Sequence, residues 1–195
     1  MKNAGRKGGR LFIISAPSGC GKTTLAKRLL GDDLGLVRSI SMTTRPPRSG
    51  EKDGIDYRFV SKKEFEDTIR KREFLEYEEN FGHLYGTPKS FVKEKLEKNG
   101  FVLLTIDVKG ALKVKKVYPK ESVLIFILPP SINTLKRRLQ SRMADSKPTI
   151  AARLKLAKRE LSYKDRYDYR IVNDRLDSAY RRLKKIIASE SQGVR

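Results

Sequence analysis

The passage that most constrains the fold lies near the start of the chain. Leu11-Phe12-Ile13-Ile14 is continuously apolar, Ser15-Ala16-Pro17-Ser18-Gly19-Cys20-Gly21-Lys22-Thr23-Thr24 follows at once, and a helix is expected from Thr23. An apolar strand without alternation has to be covered on both faces, which is the situation of a parallel sheet between two helical layers. The glycine-rich segment ending in Gly-Lys-Thr, set between such a strand and a helix, is a P-loop in the context that motif requires. Small residues let backbone N–H groups point inward around polyphosphate oxygens, and the following helix presents its positive end. Lys22 adds a point charge, and the Thr23 hydroxyl can ligate Mg²⁺. Ala16 stands where the motif usually begins with glycine, so the backbone there must stay in an ordinary region.

The remaining apolar runs keep the same rhythm, which defines an α/β class with a mostly parallel sheet. Strands are expected at Leu11–Ser15, Phe101–Ile106, Val123–Leu128 and Tyr169–Val172. A helix is expected from about Pro88 to Lys98, with Thr87 as N-cap and Gly100 past its end. Others are capped by Ser131, or span Ile150–Tyr163 and Leu176–Ala188. Residues 40–90 break the rhythm with Pro46-Pro47, several glycines, the capping box Ser61-Lys62-Lys63-Glu64 and the extended Glu73–Phe81, with His83 read as a turn residue. They read as an inserted subdomain. The core then comprises 10–39, 91–140 and 150–189, with a short lid at 141–149 and loose tails at 1–9 and 190–195.

Charge narrows the partners. Forty-four Lys and Arg against 23 Asp and Glu give +21, which favours anionic ligands: nucleic acid, a lipid surface or phosphorylated small molecules. A generally basic, solvated surface is the plainer account of most of that charge. The longest purely apolar run, Val123–Leu128, is far short of a bilayer span. The basic start before Leu11 breaks into the small-residue loop too soon for a signal peptide, so a cytoplasmic location is expected. Cys20 is the only cysteine and has no partner for an intramolecular disulfide. Its place in the loop suggests an accessible thiol. A single histidine excludes a multi-histidine metal site.

Arg45-Pro46-Pro47-Arg48 favours polyproline II, whose three-residue period sets two guanidinium groups on one side about 9 Å apart. Such a pair can grip a phosphate through several donors. This stretch belongs to Ser39-Ile40-Ser41-Met42-Thr43-Thr44-Arg45-Pro46-Pro47-Arg48-Ser49-Gly50-Glu51. Further on come Gly54-Ile55-Asp56-Tyr57, Phe74-Leu75-Glu76-Tyr77, Tyr85-Gly86-Thr87-Pro88, Ile106-Asp107-Val108-Lys109-Gly110-Ala111 and Ile171-Val172-Asn173-Asp174. Together with the P-loop they resemble the motifs of guanylate kinases, from about Arg10 to Ala188.

The resemblance implies a P-loop nucleoside-monophosphate-kinase-like three-layer fold with a parallel central sheet, a nucleotide-binding subdomain and a lid. It implies phosphoryl transfer from ATP to GMP with Mg²⁺, leaving dGMP open as a second acceptor. Ala16, Pro17, Ser18, Gly19, Cys20, Gly21, Lys22, Thr23, Thr24 and Asn173 would bind ATP. Ser41, Arg45, Arg48, Tyr57 and Tyr85 would hold the GMP phosphate side, and Glu76, Thr87 and Asp107 would read guanine. Lys22, Arg45, Arg138, Arg142 and Arg153 would act on the transferring group.

Some residues depart from the family pattern. Ser141 and Met143 flank Arg142 where glycines are common, and Lys147-Pro148 replaces acidic residues. Thr105 stands where a second carboxylate is usual, and a strand running through Asp107 would put both side chains on one face. Two other functions remain open to a chain of this kind: a non-catalytic phosphopeptide-binding module of the same fold, and a basic nucleic-acid-binding protein.

Overall fold

The computed structural model describes residues 8–141 and 147–192. Its central sheet has five parallel strands in the order β2-β7-β1-β8-β9: β1 (Arg10–Ser15), β2 (Leu36–Arg38), β7 (Phe101–Leu104), β8 (Ser122–Leu128) and β9 (Tyr169–Val172). Strand β1 lies in the middle, with Ile13 opposite Leu104 on one side and Leu124 on the other. Because side chains alternate along a strand, consecutive apolar residues feed two different layers. Phe12 and Ile14 pack with α1 (Lys22–Leu30), α5 (Ile132–Gln140), α6 (Lys147–Leu161) and α7 (Leu176–Gln192). Leu11 and Ile13 pack on the other face with α3 (Lys89–Glu97) and α4 (Val108–Val117). All four strand residues are fully buried, each stabilising the fold by roughly 1.5–3 kcal/mol relative to exposure.

A second sheet, in the order β4-β3-β6-β5, is built from β3 (Met42–Thr43), β4 (Arg58–Phe59), β5 (Phe74–Asn80) and β6 (His83–Pro88). Strands β5 and β6 form an antiparallel hairpin turning through Phe81-Gly82, both with positive φ. His83 is therefore not a turn residue but opens β6, paired with Asn80. Helix α2 (Lys62–Arg70) starts as the capping box requires, with Ser61 accepting from the Glu64 N–H. Its buried Phe65 stacks on Phe74 at 4.5 Å, above Gly86.

Several boundaries differ from the sequence expectation. Helix α1 begins at Lys22, one residue earlier. Strand β7 ends at Leu104, so Thr105 and Asp107 lie in the turn to α4 and the alternation argument for them fails. Pro88, not Thr87, occupies the N-cap position of α3. The Thr87 hydroxyl donates instead to Glu76 across the hairpin. Residues 190–192, expected to be loose, continue α7, and Gly9 is buried where a Cβ would meet the Gly100 carbonyl at 2.7 Å. Helix α6 takes in residues 147–149 of the expected lid, while Arg142 and Met143 lie outside the described residues.

The aromatic stack that joins α2 to the second sheet should be separable from the main core. Phe65→Ala is expected to cost about 3–5 kcal/mol, the usual range for a buried aromatic truncated in a close-packed site. Chemical denaturation should show that loss.

Candidate functional site

The C-terminal ends of β1 and β7 face the second sheet across a cleft, the position where open α/β sheets bind ligands. On the central-sheet side, Gly19 and Gly21 adopt φ of 89° and 88°, values that only glycine takes without strain. Ala16 is not among the positive-φ residues, as its side chain requires. A Cβ at Gly21 would come within 2.4 Å of the Asn173 amide nitrogen, which donates to the Cys20 carbonyl at 2.8 Å. Gly21 caps α1 without any side-chain bond, so the first-turn N–H groups are available to an anion. The Lys22 ammonium donates to the Ile106 carbonyl at 3.2 Å. Burial lowers its pKa, while Asp107 and Glu160 act in the opposite direction.

The opposite wall carries the other residues singled out in the sequence. Ser41, Arg45, Arg48, Tyr57, Glu76 and Tyr85 line the same cleft as Ala16–Gly19 and Gly21–Thr24, and Asp107 lies between the two groups. The arginine pair is not symmetric. Arg45 is buried, its Nη2 donates to both oxygens of Glu51 at 2.9 and 2.8 Å, and its guanidinium lies over the rings of Tyr57 and Phe59. Arg48 keeps an exposed side chain, and its backbone N–H donates to Glu51 at 2.8 Å. Burial opposes ionisation of Glu51, but the Arg48 N–H and the Arg45 guanidinium prevail and hold its carboxyl below the ordinary range.

Glu76 is buried, with Oε1 accepting from the Thr87 hydroxyl at 2.6 Å. That hydroxyl has one proton and it is committed to Glu76, so Thr87 orients the carboxylate and does not itself reach into the cleft. Asp107 caps α4, its Oδ1 accepting from the Gly110 N–H at 2.8 Å and its Oδ2 from the Asn80 amide at 2.7 Å.

Cys20, Asn173, Arg138 and Arg153 are not part of the cleft lining. Cys20 is fully buried and burial pushes its thiol up to about 12, which corrects the expectation of an accessible sulfur. Asn173 braces the loop from behind, and Arg138 donates to the Asn173 carbonyl at 3.0 Å. Arg153 on α6 reaches the Ser18 hydroxyl at 3.4 Å and sits over the Phe81 ring, bridging the loop and the β5–β6 hairpin.

Sequence reasoning assigned no role to Glu51, Asp56, Asn80 or Glu160. Asp56 is buried and ion-paired with Lys27 of α1 at 2.8 Å, tying the inserted region to the core. Glu160 lines the cleft, its carboxyl raised to about 7 by burial against the pull of Lys22. The signal available for Glu51 was its place as the first acid after the Arg45–Arg48 pair. Glu160 carried no such signal, since α6 has helical periodicity whether or not that residue faces the loop.

A phosphate-binding loop on a parallel sheet, facing an arginine-bearing second sheet, defines a P-loop nucleotide kinase. The guanylate kinase pattern matches residues 8–190, and the chain belongs to the guanylate kinase family. It is 46% identical over 182 residues to the guanylate kinase of Novosphingobium aromaticivorans, covering 93% of this chain and 82% of that protein. For the guanylate kinase of Oceanobacillus iheyensis the identity is 47%, covering 93% and 88%. The crystal structure of guanylate kinase from Anaplasma phagocytophilum superposes with a TM-score of 0.81 at 36% identity, covering 95% of this chain and 88% of that one. A gluconokinase from Sinorhizobium meliloti shares the fold alone, with a TM-score of 0.52 at 12% identity, covering 97% of each chain. Among the described residues no helix is long and apolar enough to cross a membrane.

Burial raises the Glu76 carboxyl from 4.5 to about 7, so between those two pH values the native state holds a proton that the unfolded chain has already released. Its contribution to stability is complete below about pH 4.5 and is lost as pH rises through 7. Glu76→Gln should therefore melt higher than the parent at pH 8, with the difference shrinking toward pH 5. Thermal melts across that range check it.

Proposed function

We propose that the cleft moves the γ-phosphoryl group of ATP to GMP by in-line displacement, releasing ADP and GDP, without a general base. The reaction is that of the family to which the chain belongs. The residue roles are our reading, and one observation carries it: a single cleft holds an anion-binding loop at one end and a guanidinium with a buried carboxylate at the other.

A phosphate monoester has a second pKa near ~6, so GMP is mostly dianionic at neutral pH and its oxygen can attack unaided. Catalysis then reduces to alignment and charge neutralisation. The loop N–H groups hold the ATP phosphates, and Lys22 leaves the Ile106 carbonyl for the β and γ oxygens. Arg45, kept rigid by Glu51 and the aromatic rings, aims the acceptor phosphate with Arg48, Ser41, Tyr57 and Tyr85. Arg153 stands close enough to the loop to meet charge on the migrating group, and Arg142 is assigned the same task by resemblance alone. Arg138 supports Asn173 and through it the loop.

Among the described residues no group of three or more His, Cys, Asp or Glu side chains is placed to hold a metal ion. The donor set fits a metal that arrives on the nucleotide, for which Thr23 supplies a hydroxyl. Bound in that way, Mg²⁺ would screen the β and γ oxygens. A cytoplasmic location belongs to the same proposal.

Guanine presents N1–H and its exocyclic amine side by side next to a carbonyl acceptor, whereas adenine has a bare N1 acceptor and a C–H at those two positions and its own amine where guanine has the carbonyl. The Glu76 carboxylate accepts from N1–H and the exocyclic amine, with Asp107 beside it. AMP in this pocket would leave a buried carboxylate unpaired, a mismatch that can cost on the order of 10⁴-fold in kcat/KM. A coupled assay of ADP release with GMP, dGMP, AMP, CMP and UMP should show GMP far ahead of AMP. Comparable turnover of the two would remove Glu76 from base recognition.

The phosphopeptide-binding alternative has no need of Lys22. Lys22→Ala should abolish transfer while GMP affinity, measured by calorimetry, stays near the parent value. Loss of GMP binding in a folded variant would show that the two ends of the cleft are not independent.

A further inference from the structure

Gly110 occupies the first turn of α4, three residues after Asp107. It is not among the positive-φ glycines, so the backbone there does not call for glycine. At such a helical position alanine is ordinarily favoured over glycine by about 1 kcal/mol. What excludes alanine is a side chain. A Cβ at Gly110 would lie 2.4 Å from Oε2 of Glu76 and 2.9 Å from its Cδ, well inside contact distance. The Glu76 carboxylate is confined on its other side, where Oε1 takes the Thr87 hydroxyl at 2.6 Å. The Gly110 N–H also holds Oδ1 of Asp107 at 2.8 Å, so this one residue touches both carboxylates of the base end of the cleft.

We infer that Gly110 is a specificity-determining position of the acceptor site, because the space of its absent side chain is where the Glu76 carboxylate must lie to face the purine. The inference rests on the reading of Glu76 as the guanine acceptor. Its consequence is unusual for a glycine. The atom that must give way is the end of a flexible side chain rather than backbone, so the fold tolerates a methyl group there and the carboxylate is displaced. Stability and recognition should therefore part company.

Gly110→Ala should leave the melting temperature unchanged or higher. The KM for GMP should rise by roughly tenfold or more, the scale of one misplaced group in a specific pocket, with the KM for ATP nearly unchanged. Glu76→Asp supplies the control, since a carboxylate shorter by one methylene no longer reaches the added Cβ. In that background Gly110→Ala should add no further loss in KM for GMP. An unchanged KM for GMP in Gly110→Ala would overturn the inference. So would a parallel rise of both KM values with a lower melting temperature, or an equal loss in both backgrounds. If Glu76→Gln itself leaves the KM for GMP intact, the fault lies in the role given to Glu76 and not in the geometry at Gly110.

Discussion

The structure depends on how strand β1 ends. It is the middle strand of the central sheet and is buried along its apolar length, so its direction is dictated by two helical layers before any ligand is considered. At Ser15 the chain must leave that sheet and enter α1 while keeping a row of N–H groups turned toward solvent. Two left-handed glycines make the turn, and the Asn173 amide from the end of β9 fills the space that a Cβ at Gly21 would need. The loop is thus a rigid concavity. An anion meeting it finds donors already aligned, which is what electrostatic preorganisation requires.

The second sheet solves a different problem, that of holding opposite charges close to one another in a partly dry cleft. Arg45 is kept charged and directed by Glu51 and by aromatic faces, with Nη2 on the carboxylate and Nη1 on the Pro46 carbonyl, an arrangement in which Lys would lose the second donor nitrogen and the planar face over the ring. Glu76 is the reverse case. It is buried with a hydroxyl donor and no cation paired to it among its described contacts, which is why its carboxyl rises to about 7. A carboxylate left in that condition weakens the fold at alkaline pH, and a ligand with two N–H donors relieves it. On the proposed reading of Glu76 as the guanine acceptor, function and stability pull in opposite directions at this residue.

Much of this was legible along the chain. Unbroken apolar runs required a covered parallel sheet, and the glycine-lysine-threonine sequence between strand and helix required an anion-binding loop, because both depend on local spacing. The asymmetry of Arg45 and Arg48 was not legible. Polyproline geometry treats the two alike, and the carboxylate that separates them is brought over by the turn at Gly50. Thr87 was misread for a related reason: threonine before proline and a helix looks like a cap, but the antiparallel register offers its hydroxyl a buried carboxylate instead.

What the sequence determined by itself was the class of fold, the loop and the types of residue at the two ends of the cleft, since hydrophobic period and backbone conformational preference act over a few residues. Which carboxylate meets which cation was decided only by tertiary structure. Lys27 reaches Asp56 and Glu160 enters the field of Lys22 because separate elements are packed against each other, while Glu51 reaches Arg45 because the loop between them turns back at Gly50. Electrostatic energy in a cavity depends on distance and burial, and neither quantity is written in the order of the residues.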